Sequence, residues 1–238
     1  MKVMAMQFKK FLMPFQTNIY KVLACEETMD WDQRKITAKE KLLALFRKQG
    51  KHEVHPGRTP PGQRLVQGFP IMDLGFQPEM NIDTWKLKIS GLVPKQMELS
   101  LEDLKKLGTQ SYTKDFHCVT TWSKLDVHWT GIPFKKMLEF IHPDPSWRHL
   151  IQYGADEYST NVPREDVERD DVFLAFELEG KSITPEHGYI RLIIPHLYGW
   201  KTSKFLTGLE FSLTDKPGFW EIRGYHNHGD AFKEERYG

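Results

Sequence analysis

The chain has 238 residues, of which 39% are hydrophobic, with 15 Phe, 8 Tyr and 7 Trp. That length buries a full core as one large domain or two small ones, and the aromatic content excludes a disordered chain. A formal charge of +1 with interleaved acidic and basic residues offers no field for nucleic acid, and two distant cysteines make no disulfide framework and are compatible with a reducing compartment.

In chain order, Met1–Phe15 mixes lysines with apolar residues but forms no run long enough to span a membrane. It lacks the order of a secretory signal and has no twin arginine, so a cytoplasmic protein is expected. Ile19–Cys25 reads as a short strand and Met29–Arg34 as a turn; Cys25 receives no function. Thr37 with Glu40 three residues on has the capping-box pattern, followed by Leu42, Leu43, Leu45 and Phe46 and closed by Gly50. Residues 51–64 read as an extended Pro- and Gly-rich linker over the body, or alternatively as a wall of the active site. His52 and His55 have no cysteine or carboxylate pattern beside them that would make a metal site.

Trp85–Ile89 alternates with period two and is broken by Gly91 and Pro94, which predicts a strand. Ser100 and Asp103 open a short helix that turns Leu101, Leu104 and Leu107 inward and stops at Gly108. Pro133 suits the first residue of a helix carrying Phe134, Met137, Leu138 and Ile141, ended by Pro143 and Pro145. Tyr153–Tyr158 predicts a strand running into a loop, and Pro163–Asp166 a helical turn. Asp171–Leu178 is apolar on both faces and reads as a central strand. Turns at Gly180-Lys181 and Pro185–Gly188 frame a buried strand over Tyr189–Ile194, and Leu209–Leu213 is the last alternating run. Strands outnumber scattered helices, which predicts an α+β fold of mixed sheets. There is no repeat, no Gly-x-Gly-x-x-Gly and no Walker-A sequence. The tail Phe219–Gly238 is too aromatic to be disordered and is expected to pack back across the body. A sharper alternative puts His226-Asn227-His228 at the mouth of a pocket, while Lys233–Arg236 reads as a solvated run of little energetic weight.

The stretch Asp115–Pro133 is the chemical centre of the sequence. A lone cysteine is ordinarily a packing residue. Cys118, however, stands among His117, Thr120, Thr121 and Ser123, whose polar groups need partners if buried. Its soft thiolate also suits a soft, high-valent metal. Cys118-Val119, Trp122-Ser123 and Trp129-Thr130-Gly131-Ile132-Pro133 resemble the molybdenum-binding segment of the sulfite oxidase superfamily. The resemblance is in particular to the branch of small, haem-free proteins that includes the bacterial methionine-sulfoxide reductase catalytic subunit. It recurs at Asp73–Val93, Asp156–Val167 and Pro185–Ser203, and so covers roughly residues 58–215.

That resemblance implies a sulfite-oxidase-type molybdopterin-binding fold over 58–215, with an N-terminal extension (1–57) and a C-terminal tail (216–238) packed on the domain. It implies Cys118 as the thiolate ligand to molybdenum, His117 as a second catalytic candidate, and a single pyranopterin; tungsten takes the same ligands. Gly199, Trp200, Lys201, Thr202, Ser203 and Lys204 are implied to hold the pterin and its phosphate, with N–H groups, hydroxyls and cations to offer, and Lys201 in direct charged contact. Thr160, Asn161 and Arg164, and on the N-terminal side Gln67 and Gly68, are further implied cofactor contacts; Asp73 orients backbone. True sulfite oxidases carry Asn-Arg-Arg shortly after the cysteine, whereas this chain has Val119–Ser123 and no arginine until Arg148. An anion pocket would then be rebuilt from Arg64, Arg164, His117 or the tail histidines. The implied activity is transfer of an oxygen atom and two electrons to or from a small sulfur or nitrogen oxo-compound, with an external electron-transfer protein as partner. Two alternatives stand beside it: a non-catalytic molybdopterin carrier, and a packed protein without cofactor. The joint presence of Cys118 and the Lys201 loop counts against the second.

Overall fold

Period-two alternation of apolar side chains sorts the chain into two sheets. The computed structural model describes residues 33, 36, 37, 39–41, 54–72 and 77–238. Its strands are β1 (Arg64–Leu65), β2 (Lys86–Gly91), β3 (Met97–Ser100), β4 (Gln110–Cys118), β5 (Trp122–Pro133), β6 (His149–Gly154), β7 (Ser159–Pro163), β8 (Phe173–Leu178), β9 (Lys181–Ser182), β10 (Arg191–Ile193) and β11 (Leu206–Ser212). One sheet runs β1-β5-β8-β10, with β4 on β5 and β9 on β8; the other runs β3-β2-β11-β6-β7. Both are mixed, since β1 lies parallel to β5 and β2 parallel to β11. The expected α+β fold of mixed sheets is observed.

β8 is the central strand that its composition predicts. Leu174 and Phe176 join the main core with Leu87, Ile89, Leu209 and Phe211, while Phe173 and Ala175 join a second cluster under the β4–β5 hairpin. Successive strand residues point to opposite faces, so a strand buried on both sides must be apolar throughout. Helix α1 (Leu101–Lys105) is capped as expected: Ser100 Oγ accepts from Asp103 N–H, and Asp103 accepts from Ser100 N–H. Helix α2 (Phe134–Ile141) buries Phe134, Met137 and Ile141. Pro133 is the last residue of β5 rather than the first of α2, and His142, in the left-handed region, closes the helix. Helix α3 (Arg164–Val167) is the expected short turn.

One local expectation changes, and two segments singled out for chemistry gain a structural setting. Ile36 is already helical, so Thr37 lies inside a helix rather than capping it. Tyr158–Arg164, taken from the resemblance as a binding segment, is mostly the edge strand β7, paired antiparallel with β6. The Cys118 stretch is most of a long hairpin, β4 with β5. Cys25, Leu42–Gly50, His52 and Asp73 lie outside the described residues. Residues 54–64 wrap the body as expected, fastened by Arg58 to Asp115 (2.6 Å) and Asp126 (2.7 Å). The tail packs back: Phe219, Trp220, Tyr225 and Ala231 are buried in a third cluster with Val119, Tyr158, Tyr198 and Trp200. No helix among the described residues is long and apolar enough to cross a membrane.

Candidate functional site

The β4–β5 hairpin turns over Val119–Thr121, with Thr121 at φ 70°, and its tip presents Cys118 opposite Trp122. The tip is held from outside the hairpin, where Gln63 Nε2 donates to Cys118 O (3.0 Å) and β1 pairs with Trp122 and Ser123, and from within, where Thr121 N–H donates to the same carbonyl (3.1 Å). Alternation puts Phe116 and Cys118 on one face and His117 on the other. Cys118 is 8% exposed and its Sγ lies 3.1 Å from Thr120 Oγ1.

That face opens on a cavity. The hairpin contributes Phe116, Cys118 and Trp122; the segment after β1 contributes Phe69, Pro70 and Met72; the β6–β7 turn contributes Asp156 and Tyr158. The opposite side is His187, Arg191, Gly199, Trp200, Thr202, Lys204 and Phe205, with Trp220 of the tail and Lys39 of the N-terminal extension completing it. A parallel bridge between His117 and Tyr198 brings the Gly199–Lys201 turn of 3₁₀ helix against the hairpin tip.

The cavity is apolar in bulk and cationic in detail. Arg191 is 3% exposed, donates from Nη2 to Thr202 Oγ1 at 2.7 Å, and stacks on Phe116. Burial draws its pKa down to about 10, against the opposing pull of Cys118 and Tyr158, so it stays charged. Lys39 Nζ sits 4.5 Å from the ring centroid of Trp220. Burial lowers its pKa to about 8, with Cys118 and Glu221 opposing. Three buried N–H groups on lining residues, Arg191 Nε, Trp122 Nε1 and Trp200 Nε1, have no hydrogen-bond partner among the described residues. Buried donors are nearly always paired in folded proteins, so three unpaired ones on the lining residues set this wall apart.

Of the candidate site residues, Cys118, Gly199, Trp200, Thr202 and Lys204 line the cavity, and the other described ones do not. His117 faces away, bonding Ser123 Oγ through Nδ1 (2.8 Å) and meeting Phe232 edge-on. Burial pushes its pKa down to about 4, with Asp115 opposing, so it is a neutral packed histidine. Lys201 is wholly buried behind the wall, and its three N–H donors go to Glu221 Oε1 (2.6 Å), Asn161 Oδ1 (2.8 Å) and Asn227 O (2.7 Å). Thr160 donates to the same Glu221 oxygen, and Asn161 Nδ2 to Asp215 and Asn227. Thr160, Asn161 and Lys201 are thus one brace joining β7, the 3₁₀ turn and the tail. Ser203 is bound to Gln152, and Lys204 Nζ donates to Glu186 O (2.6 Å). Gln67 and Gly68 are exposed. Arg164 pairs with Glu168 and lies over Trp147.

Arg64, Arg164, His117 and the tail histidines, from which an anion pocket was expected, do not line this cavity. The cations that do are Arg191, Lys204 and Lys39. Arg191 left a signal in the sequence as the lone charge in the apolar run Tyr189–Ile194. Lys39 left none. The Lys233–Arg236 run is not idle either: Arg236 donates to Val119 O (2.9 Å) and lies over Tyr198, clasping the residue next to Cys118.

A Cβ on Gly199 would lie 2.4 Å from Phe116 Cζ, so the Phe116 ring, packed between Arg191 and Phe69, would have to move into the cavity. Gly199→Ala is expected to cost about 1–3 kcal/mol by overpacking and to reduce the metal retained per chain. Chemical denaturation and metal analysis check it; unchanged values in both would mean that the wall tolerates the methyl group.

Known proteins resemble the chain in sequence and in fold. Residues 74–220 match the family described as the oxidoreductase molybdopterin binding domain. The chain is 37% identical over 183 residues to the uncharacterized oxidoreductase YuiH of Bacillus subtilis, covering 76% of this chain and 92% of that protein. It is 28% identical over 160 residues to the protein-methionine-sulfoxide reductase catalytic subunit MsrP of Campylobacter jejuni, over 59% of this chain and 53% of MsrP. It therefore spans about half the length of that relative. Among solved structures, the sulfane dehydrogenase SoxCD of Paracoccus pantotrophus superposes with a TM-score of 0.52 at 25% identity, over 58% of this chain and 40% of that one.

Proposed function

Because the chain belongs to the family of oxidoreductase molybdopterin-binding domains, within the sulfite-oxidase-like superfamily, and is an oxidoreductase, we propose that it reduces or oxidises a small sulfur or nitrogen oxo-compound at a molybdenum–pyranopterin group held by Cys118. The observation that carries this reading is the cysteine thiol in a cavity with three buried, unpartnered N–H groups. The residues present fit such a group. A thiolate is the donor a soft metal takes, and fixed N–H groups and cations are what an anionic, acceptor-rich ligand requires.

When bound, the cofactor supplies oxygen-atom exchange and two-electron redox capacity. Every other contribution is the chain's. Cys118 donates its sulfur from a hairpin tip fixed by Gln63 and Arg236 through the backbone carbonyls of Cys118 and Val119. Arg191, Trp122 and Trp200, which line the cavity, each keep an N–H without a partner among the described residues, and such a donor is free to serve the bound group. Phe69, Phe116, Met72 and Trp220 exclude water from the reacting face. Thr160, Asn161 and Lys201 act one layer back, bracing the wall that carries Trp200 and Thr202. Electrons pass to or from an external partner protein.

Sulfoxides are the substrate class we favour, from the likeness to a methionine-sulfoxide reductase subunit and from the absence of arginines at Val119–Ser123. Anaerobic assays with an artificial electron donor should show turnover with sulfoxides, compared in parallel with N-oxides and with sulfite as reductant. Full molybdenum and pterin content without turnover on any of them would favour a carrier. Metal analysis separates molybdenum from tungsten, which accepts the same donor set.

A further inference from the structure

Away from the cavity, three side chains from separate parts of the chain converge: Asp166 of α3, His196 after β10, and His228 of the tail. We propose that they form a second metal site, for a divalent ion of the zinc type. His196 Nε2 lies 2.7 Å from Asp166 Oδ1 and His228 Nε2 3.0 Å from Asp166 Oδ2, and the three ligand atoms lie within 4.8 Å of one another.

The donor set decides the class of ion. Two imidazoles and a carboxylate are borderline ligands of the kind zinc takes, with a fourth position left for water. The set contains no thiolate and is therefore chemically distinct from the Cys118 centre. Bonds of about 2.0–2.2 Å put neighbouring ligands of a tetrahedral ion about 3.3 Å apart. The present separations are those of shared protons, so an ion displaces those protons and spreads the side chains by about half an ångström.

The surroundings are those of a metal-bound histidine. His228 Nδ1 lies 2.6 Å from Glu235 Oε2, an outer carboxylate that orients the ring and raises its basicity. Glu235 is itself fixed by the Asp230 N–H at 2.9 Å. Asp166 is largely buried, with its side chain 10% exposed, and Glu235 is 19% exposed. Carboxylates face both ring nitrogens of His228, so an ion at Nε2 takes the place of the proton shared with Asp166 while Glu235 keeps the other. The ion would tie the tail to α3 and to the loop after β10. Asn227, next to His228, accepts from Lys201 through its carbonyl, so the site steadies the brace behind the cavity.

The test is a zinc titration of the full-length protein, carrying its cofactor, after exhaustive dialysis against chelator. One equivalent should bind more tightly than about 10 µM, with imidazole and no sulfur at the zinc absorption edge and a rise in melting temperature. His196→Gln and His228→Gln should each lose that equivalent while keeping the parent's molybdenum content. The parent chain decides alone if the variants do not fold. Absence of saturable zinc, or a sulfur neighbour placing the ion at Cys118, overturns the proposal. Zinc retained by both folded variants overturns it as well.

Discussion

Cys118→Ser should leave a folded chain that has lost its sulfur-to-metal absorption and nearly all of its turnover. The structural cost is small. A serine hydroxyl at this position keeps Thr120 Oγ1, now 3.1 Å from the sulfur, as a hydrogen-bond partner, so the buried hydroxyl is not orphaned. In cofactor-free protein the loss should stay near 1 kcal/mol, about 2–4 °C in melting temperature for a chain of this size. The functional cost is of another order. Losing an outer-shell partner of a metal ligand commonly costs about 10–100-fold, and losing the ligand itself should exceed about 100-fold. X-ray absorption at the metal edge should count one fewer sulfur neighbour in Cys118→Ser, with Cys25→Ser as an unaltered control. An undiminished sulfur count would remove the basis of the site.

Lys201→Met is the variant with the largest expected effect on stability. The amine and Glu221 form an ion pair with side chains 0% and 1% exposed. Burial pulls the lysine pKa down and Glu221 pulls it back up. Removing one member of a buried pair leaves the other charge uncompensated, at about 3–5 kcal/mol. For a chain of this length that is roughly 6–20 °C in melting temperature. The loss should appear in cofactor-free and loaded protein alike, because the three acceptors of Lys201 belong to the chain. Replacing Glu221 as well, in Lys201→Met/Glu221→Leu, should recover part of it by removing the orphaned carboxylate. A Lys201→Met protein of parental stability but low pterin content would return the lysine to direct contact with the cofactor phosphate.

What the sequence determined by itself is the set of features that act over a few residues. The capping box of Ser100 and Asp103, the alternation at the start of β2 and the doubly apolar run of β8 are each local. A side chain reaches a backbone N–H three positions away, and a strand repeats every two, so those spacings alone carry the information. What sets Cys118 apart from Cys25 was likewise legible, because the tryptophans, glycine and proline of its hairpin follow it within 15 residues. Which neighbours face the cavity was decided only by the tertiary structure. Thr202 faces in and Lys201 faces back because the 3₁₀ turn sets them on different sides, and because Glu221, Asn161 and Asn227 come from other segments to take the amine. Arg191 and Lys39 stand on the same wall despite more than a hundred intervening residues, placed by strand order and by the stacking of Lys39 on Trp220. A charged residue is directed by the partner that neutralises it. When that partner arrives from a distant strand or from the tail, no local period records it.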